Sequence, residues 1–475
     1  MSRRPVGPPD RLDPARDCVA QRLTAQAELF PVLDLSPLDT SGLSDRDAAF
    51  AHAIYDAAIE RWLTLVWIIN QRLRDSGNSV EPALKGILLT AAAQLLFLDR
   101  VPPHAAIDEA VKWAKVRIRE GAAGIVNAVL RRIADMVFPG DSAAVIPPKH
   151  YQDSWNDSRT ALPLSDGRAL QLVDIELPED ALARLGVATS HGKPLLERWV
   201  NAFGIDRARA LALHSLAAPP TVVYSSAGRV LTGDGLTPHD EPNHFVFSGD
   251  RAALAAFLNA NPDAWPQDSS STAAIIDAVR NWPNAPPDLI IDACAGQGTK
   301  TRQLAAAFPA ARIVVTDTDP RRFARLQETS AKMPRVRVVQ PYDLMKMYTS
   351  TANLVLLDVP CTNTGVLARR PEAKYRFDQS QLLRMVDTQR TILVDSLRLL
   401  KPEGCLLYTT CSMESEENQA MIDWVTASPE LHIVATNSRD PAGLPGDPAS
   451  QYRDGSFSSL LTTKVPKRRR KSVSR

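Results

Sequence analysis

Two of the five cysteines in this 475-residue sequence follow apolar runs and lead into small polar residues. Cys361 stands in Asp358-Val359-Pro360-Cys361-Thr362, after NLVLL. Cys411 stands in Tyr408-Thr409-Thr410-Cys411-Ser412, after GCLL. A lone cysteine on a strand is most often a small buried hydrophobe. That reading suits Cys294 and Cys405, and Cys18 falls in a helical stretch. Cys361 and Cys411 differ because each lies just past a predicted strand with an aspartate nearby. Thiols so placed suit covalent catalysis on a pyrimidine. Carbon 5 of cytosine is a weak nucleophile, and a thiolate adding at carbon 6 makes it enamine-like and able to attack an electrophilic methyl group. A proton or hydrogen bond at ring N3 assists the addition. A carboxylate of raised pKa can supply it, and Asp358 is the candidate. A base must then take the carbon 5 proton so that the thiol leaves, and Cys361 or a water it positions is a candidate for assisting that release. Spacing alone leaves open which of the two thiols attacks. A methyltransferase directed at an amine would need neither.

A methyl donor needs a pocket, and Asp292-Ala293-Cys294-Ala295-Gly296-Gln297-Gly298-Thr299-Lys300-Thr301 follows the first apolar run of the C-terminal half. A phosphate loop of the form G-x-x-x-x-G-K-[ST] would need glycine where Cys294 and Thr299 stand. A dinucleotide fingerprint fits Gly296 and Gly298 but not Thr301. What remains is a turn suited to a nucleoside without a diphosphate, and S-adenosylmethionine is such a ligand. The next strand runs to Asp317, placed to accept from ribose hydroxyls, and the third leads to Asp343, placed to contact adenine. Asp292, Asp317, Asp343 and Asp358 follow four successive strands. They would share the sheet edge at which open α/β folds bind ligands.

The elements that must position these groups read as follows. Seven apolar strand runs alternate with helices from residue 288: DLIIDACA, ARIVVTD, RVRVVQ, NLVLLDVP, GCLLYTTCS, LHIVAT and FSSLLTT. That pattern predicts a largely parallel α/β sheet covered on both faces, a Rossmann-like methyltransferase domain over 276–465. Residues 15–140 carry three- and four-residue apolar spacing and read as an all-α domain of five to seven helices, with Ser44-Asp45-Arg46-Asp47 capping one of them. Residues 141–184 are richer in Pro, Asp, Ser and Gly and read as a linker. Residues 185–275 read as a small α+β subdomain, and 466–475 as a basic disordered tail. The net charge of +1 means that any basic surface is local. Five scattered cysteines without ligand spacing exclude a disulfide framework and predict no metal site. The N-terminus lacks the apolar stretch of a signal peptide, and no apolar run reaches the length of a membrane span. The expectation is a soluble cytoplasmic monomer.

At these residues the sequence resembles the Sun-type RNA cytosine-5 methyltransferases, in particular the bacterial 16S ribosomal RNA methyltransferase B type with its N-terminal NusB-like RNA-binding domain. Asp292–Thr301, the D-x-P-C-x-x-T-G motif Asp358–Gly365, and Thr410-Cys411-Ser412 followed by Glu416-Glu417-Asn418 carry the resemblance. Further cues are Gln267–Ser271, Gly455-Ser456-Phe457, Leu43–Asp47, Gln94–Pro102, His104–Ala106 and Val126–Arg131. The resemblance implies methyl transfer from S-adenosylmethionine to carbon 5 of a cytosine in RNA, most simply 16S ribosomal RNA. It implies that Cys411 is the nucleophile and that Cys361 acts in product release, whereas DNA cytosine-5 enzymes attack with the P-C cysteine. Cofactor contacts carry over to Cys294, Ala295, Gly296, Gln297, Gly298, Thr299, Lys300, Asp317, Asp343 and Asp358. Three departures stand out. The turn usually reads A-A-P-G-G-K, and here Gly precedes Gln297 and Thr299 replaces a glycine. The P-C motif usually continues Ser-Gly-Thr-Gly, and here it reads Thr362-Asn363-Thr364-Gly365; asparagine tolerates positive φ better than other non-glycine residues. The strand at Pro220–Ser226 lacks the family's arginine.

RNA contacts are expected from Arg369, Arg370, Lys374 and Arg376, which follow the P-C loop, and nonspecific attraction from the KRRRK run of the tail. Lys112, Lys115, Arg117, Arg119, Arg131 and Arg132 read more simply as solvated helix charge. The target cytosine must be unstacked to meet a thiol. The second reading is a non-catalytic RNA-binding or ribosome-assembly factor that keeps the methyltransferase fold.

Overall fold

The computed structural model describes residues 12–73, 80–138 and 147–463, so the predicted basic tail lies outside the described residues. The chain divides into two units. The first comprises the described residues up to Ala218 together with Ala368–Asp378 and Leu444–Gly446, and the second holds the remainder.

In the first unit six helices occupy the predicted helical region: α1 (Pro14–Leu29), α2 (Asp45–Glu60), α3 (Trp62–Arg72), α4 (Pro82–Phe97), α5 (Pro103–Arg117) and α6 (Glu120–Val137). Prolines in the first turn of α1, α4 and α5 sit where no backbone donor is needed. The Ser44 hydroxyl caps α2 by accepting from Asp47 N at 3.2 Å. α4 is apolar all round and buried from Gly86 to Leu96, the pattern of a central bundle helix.

Two expected boundaries move. The described part of the predicted linker 141–184 holds an antiparallel sheet in the order β1 (Tyr151–Gln152), β3 (Ala169–Gln171), β2 (Ala161–Pro163), with Leu162, Leu170, Leu172 and Leu177 buried. Strands of two or three residues are too short to show alternation among so many turn-forming residues, and this hid the sheet from the sequence. The helices α7 (Ala181–Thr189), α8 (Lys193–Phe203) and α9 (Ile205–His214) belong to the first unit, so the expected subdomain 185–275 is cut at Ala218.

The second unit opens with a four-stranded antiparallel sheet, β5 (Leu236–Pro238), β6 (His244–Phe247), β4 (Thr221–Ser225) and β7 (Ala264–Pro266) in spatial order, closed over Val223, Phe245 and Phe247. α10 (Arg251–Ala260) and α11 (Ser269–Arg280) follow. The main domain runs β8 (Leu289–Asp292), α12 (Thr299–Ala307), β9 (Arg312–Val315), α13 (Pro320–Ser330), β10 (Val336–Val338), α14 (Pro341–Tyr348), β11 (Ala352–Asp358), α15 (Gln379–Leu397), β12 (Leu400–Thr410), α16 (Gln419–Thr426), β13 (His432–Arg439) and β14 (Ser456–Thr462). All seven predicted strands are present, in the order β10-β9-β8-β11-β12-β14-β13. β8 to β12 pair in parallel, and β14 lies antiparallel to both neighbours. Ile290, Ile313, Leu354, Leu356, Cys405 and Leu407 form one continuous core on the sheet. The direction of travel along the sheet reverses between β8 and β11, the switch point at which such folds bind ligands.

One predicted RNA contact is displaced by this packing. Lys374, in the helical turn Ala373–Arg376, is 1 % exposed and donates to the Thr189 carbonyl oxygen at 3.2 Å inside the first unit, so it cannot reach a phosphate. Burial pushes its pKa down to about 7, with Glu60 raising it and Arg61 lowering it further. An unfolded lysine keeps its proton up to about pH 10.4. Between about pH 7 and 10 the unfolded chain therefore binds the extra proton, and stability rises with pH by up to ~1.4 kcal/mol per unit. The penalty is fully present below pH 7. Urea denaturation at pH 7.5 and 9.5 is expected to show this gain in the wild type and to lose it in Lys374→Met; equal gains in both would refute the assignment.

Candidate active site

Register explains how the two cysteines meet. Asp358 at the end of β11 pairs with Thr409 of β12, and Val359 N donates to the Thr409 carbonyl oxygen at 3.2 Å. Cys361 lies three residues beyond this pair on one strand and Cys411 two residues beyond it on the other. Their sulfurs stand 3.2 Å apart. Gly365 completes the approach: its N–H donates to the Cys411 carbonyl oxygen at 2.9 Å, and a Cβ there would lie 2.8 Å from that oxygen and 3.0 Å from the Gly455 carbonyl oxygen. Cys405 lies inside β12, fully buried, and Cys18 lies on α1 with its thiol 3.2 Å from the Asp39 carbonyl oxygen, so neither belongs to the site.

The two thiols differ in environment. Cys361 is buried, while Cys411 is partly exposed. The hydrogen bond with Cys411, reinforced by burial, pushes the Cys361 thiol well above the ordinary range. Asn363, at φ +62°, places Oδ1 3.1 Å from the Cys411 sulfur, which confirms the expected left-handed asparagine.

Behind the thiols lies Glu417, fully buried. Its carboxylate accepts from Thr362 N at 2.9 Å, from Gln389 Nε2 at 2.8 Å, and from the hydroxyls of Thr362 and Ser412. Thr362 follows Cys361 and Ser412 follows Cys411, so one carboxylate fastens both thiol-bearing loops. Burial pushes the Glu417 carboxyl up, and the donors from Ser412, Thr362 and Gln389 only partly offset it. Tyr408 Oη donates to the Glu417 carbonyl oxygen at 2.8 Å, and Asn418 Nδ2 to the Ser412 carbonyl oxygen at 2.8 Å.

On the other side Lys300 Nζ lies 2.8 Å from Asp358 Oδ2, and the Thr409 hydroxyl donates to Asp358 Oδ1 at 2.6 Å. Burial opposes the Lys300 charge, but Asp358 outweighs it and raises the lysine pKa. Both Asp358 oxygens accept from these donors, because strand register sets Thr409 beside it and α12 directs Lys300 at it.

The turn after β8 joins this pair. Gly296 and Gly298 take φ of +58° and +86°. A Cβ on Gly296 would meet nothing within 4 Å, so space opens above the turn. Gly296 N donates to Asp317 Oδ2 at 2.9 Å, and Asp317 Oδ1 accepts from Asp319 N at 2.8 Å. Thr329 Oγ1 donates to the Gln297 carbonyl oxygen at 3.0 Å. Asp292, fully buried, accepts from the Thr301 hydroxyl at 2.6 Å, and burial pushes it up to about 7. Cys294 and Ala295 continue the turn from β8, and burial raises the Cys294 thiol. Thr299 opens α12, where its side chain replaces no needed glycine because the left-handed residue is Gly298. Asp343 lies in the first turn of α14, past the end of β10.

Arg369 and Arg370 are exposed and Arg376 is half-buried; all three cluster with the first unit. The basic residues of the N-terminal helices are largely engaged: Lys112 with Glu109, Lys115 with Glu120, Arg117 with Asp17, and Arg119 with Glu81. Arg131 bonds Asn127, and Arg132 bonds the Arg72 carbonyl oxygen.

The profile of the 16S rRNA methyltransferase RsmB/F family matches residues 283–453, from just before β8 to just before β14. The NusB family profile matches residues 15–135. Over 441 residues the chain is 26 % identical to ribosomal RNA small subunit methyltransferase B of Cronobacter sakazakii, covering 89 % of this chain and 92 % of that one. Over 459 residues it is 26 % identical to the protein of the same name from Yersinia pseudotuberculosis, covering 95 % and 98 %. The crystal structure of PH0851 superposes with a TM-score of 0.67 at 19 % identity over 95 % of this chain and 99 % of its own, a likeness of fold.

Within the RsmB/F region the sequence had pointed to both cysteines, Lys300 and Asp358, but not to Gln389 or Tyr408, and it gave Glu417 no role. Gln389 lies mid-helix in α15, with no local signal of its partner. A Glu417→Gln side chain offers one acceptor oxygen and turns an NH2 toward hydroxyl donors. Urea denaturation is expected to show a loss of about 1–3 kcal/mol, the cost of one unsatisfied buried group. A variant as stable as the wild type would show that the carboxylate is not the fastening.

Proposed function

We propose that this protein transfers a methyl group from S-adenosylmethionine to carbon 5 of a cytosine in RNA, with Cys411 as the nucleophile. The substrate is 16S ribosomal RNA, in keeping with the name of the relatives. The protein works as a cytoplasmic monomer, and no described helix is long and apolar enough to cross a membrane. The observation that carries the reading is the pair of sulfurs 3.2 Å apart at the ends of adjacent strands, one buried and one open.

The turn fits the cofactor. Its open space above Gly296, the carboxylate of Asp317 beneath it and the absence of a phosphate-loop glycine pattern suit a nucleoside, held by Cys294–Lys300, Asp317, Asp343 and Asp358. When bound, S-adenosylmethionine supplies the electrophilic methyl group. Cys411, the more accessible thiol, adds to carbon 6 of the flipped base. The Lys300–Asp358 pair supplies the hydrogen bond that withdraws charge toward ring N3, with Lys300 as the proton-bearing member. Cys361, held protonated, is suited to the release step after carbon 5 loses its proton. Exposed Arg369 and Arg370, with Arg376, take RNA phosphates, and the NusB-type helices add RNA-binding surface.

Cys411→Ala is expected to abolish methylation, and Cys361→Ala to accumulate a covalent protein–RNA adduct on a denaturing gel. Loss of methylation in Cys361→Ala with a fully active Cys411→Ala would reverse the assignment. Isothermal titration is expected to show S-adenosylmethionine binding; its absence would favour a non-catalytic assembly factor. Bisulfite sequencing of 16S ribosomal RNA from a deletion strain would identify the target cytosine.

A further inference from the structure

Asn363 is the residue of the P-C loop whose side-chain oxygen touches the sulfur of the proposed nucleophile. Its backbone takes φ +62°, a region glycine enters freely and asparagine enters at modest cost. Glycine would satisfy the backbone alone. Here the side chain is engaged at both ends of its amide. Nδ2 donates to the Cys361 carbonyl oxygen at 3.1 Å. That bond turns Oδ1 toward the sulfurs, 3.1 Å from Cys411 and 3.9 Å from Cys361. An amide oxygen only accepts, so it holds the Cys411 S–H directed at itself. The neighbouring sulfur of Cys361, at 3.2 Å, is the other polar group in contact with Cys411 Sγ among the described residues.

We propose that Asn363 is a positioning residue for Cys411, restraining the resting nucleophile as a thiol whose hydrogen is bound to the Asn363 amide oxygen. Attack then requires that this contact be given up. As the S–C6 bond forms, the C5=C6 π bond breaks and its electron pair shifts toward ring N3; the thiol proton passes through solvent to N3, so the amide oxygen no longer has a hydrogen to accept. Binding of the base between Cys411 and the methyl donor is the event that exchanges the contact. The sulfur is thereby aimed and protected until substrate arrives. The proposal rests on the reading of Cys411 as nucleophile, but it concerns a property of the free protein.

The test is the rate of Cys411 alkylation by iodoacetamide at pH 7.5 in the full-length protein without RNA or S-adenosylmethionine, followed by mass spectrometry of the Cys411 peptide. Asn363→Gly relaxes the backbone and removes the acceptor. It is expected to speed alkylation about fivefold, the equivalent of one ordinary hydrogen bond. Asn363→Asp keeps the acceptor and sets a negative charge beside the sulfur, disfavouring thiolate; it is expected to slow alkylation by at least a similar factor. In turnover, loss of a contact that must be broken before attack is expected to raise kcat about fivefold in Asn363→Gly, with an unchanged KM for S-adenosylmethionine. Alkylation at the wild-type rate in both variants, or faster alkylation in Asn363→Asp, would overturn the proposal. A purely structural role would lower the melting temperature of Asn363→Gly and move KM with kcat, and that pattern would overturn it as well. Failure of the nucleophile assignment is read separately, from Cys411→Ala in the methylation assay.

Discussion

The site depends on a single buried carboxylate. Glu417 gathers donors from the residue after each reactive cysteine and from Gln389 of α15. A carboxylate in the interior is costly unless its acceptor capacity is filled. Here it is filled by groups on two loops that would otherwise be independent, and satisfying the carboxylate therefore fixes the distance between the loops. The cost of burying it shows in its upward-shifted pKa. That cost is partly offset by the donors from Ser412, Thr362 and Gln389, which hold the two thiol-bearing loops together.

A second constraint acts from the opposite side. The sheet register sets Asp358 beside Thr409, and Lys300 reaches Asp358 from the start of α12. The ion pair ties the cofactor turn to the P-C loop, so the three motifs form one connected polar assembly at the sheet's switch point. The sheet supplies the rigidity, and Asp292, Asp358, Tyr408 and Thr409 stand among its last strand residues. Polar groups are concentrated at the strand ends and just past them, where the backbone ladder stops and side chains take over the hydrogen bonding.

What the sequence revealed followed the strength of each local signal. Seven apolar strands with turn residues between them are legible because each buried strand is a near-continuous run. The six helices are legible through their spacing and caps. The sheet at 151–171 was not, because its strands are shorter than one period of evidence. Lys374 was misread because a lysine beside arginines looks like a basic patch, and only the tertiary packing against Thr189 shows it buried. Gln389 and Tyr408 were not legible for the same reason: their partners are set by contacts between elements, not by spacing. Cys361 and Cys411 were legible because strand ends can be located from sequence, and two ends that meet bring their residues with them.

Two chemically identical thiols can take different tasks when their surroundings differ. Cys361 is buried, hydrogen-bonded to its neighbour and held protonated. Cys411 is partly exposed and rests against an amide oxygen. The spacing of the motifs is compatible with either order of roles. Burial separates the two thiols, one buried and one partly exposed, by a physical difference that the motif spacing does not contain.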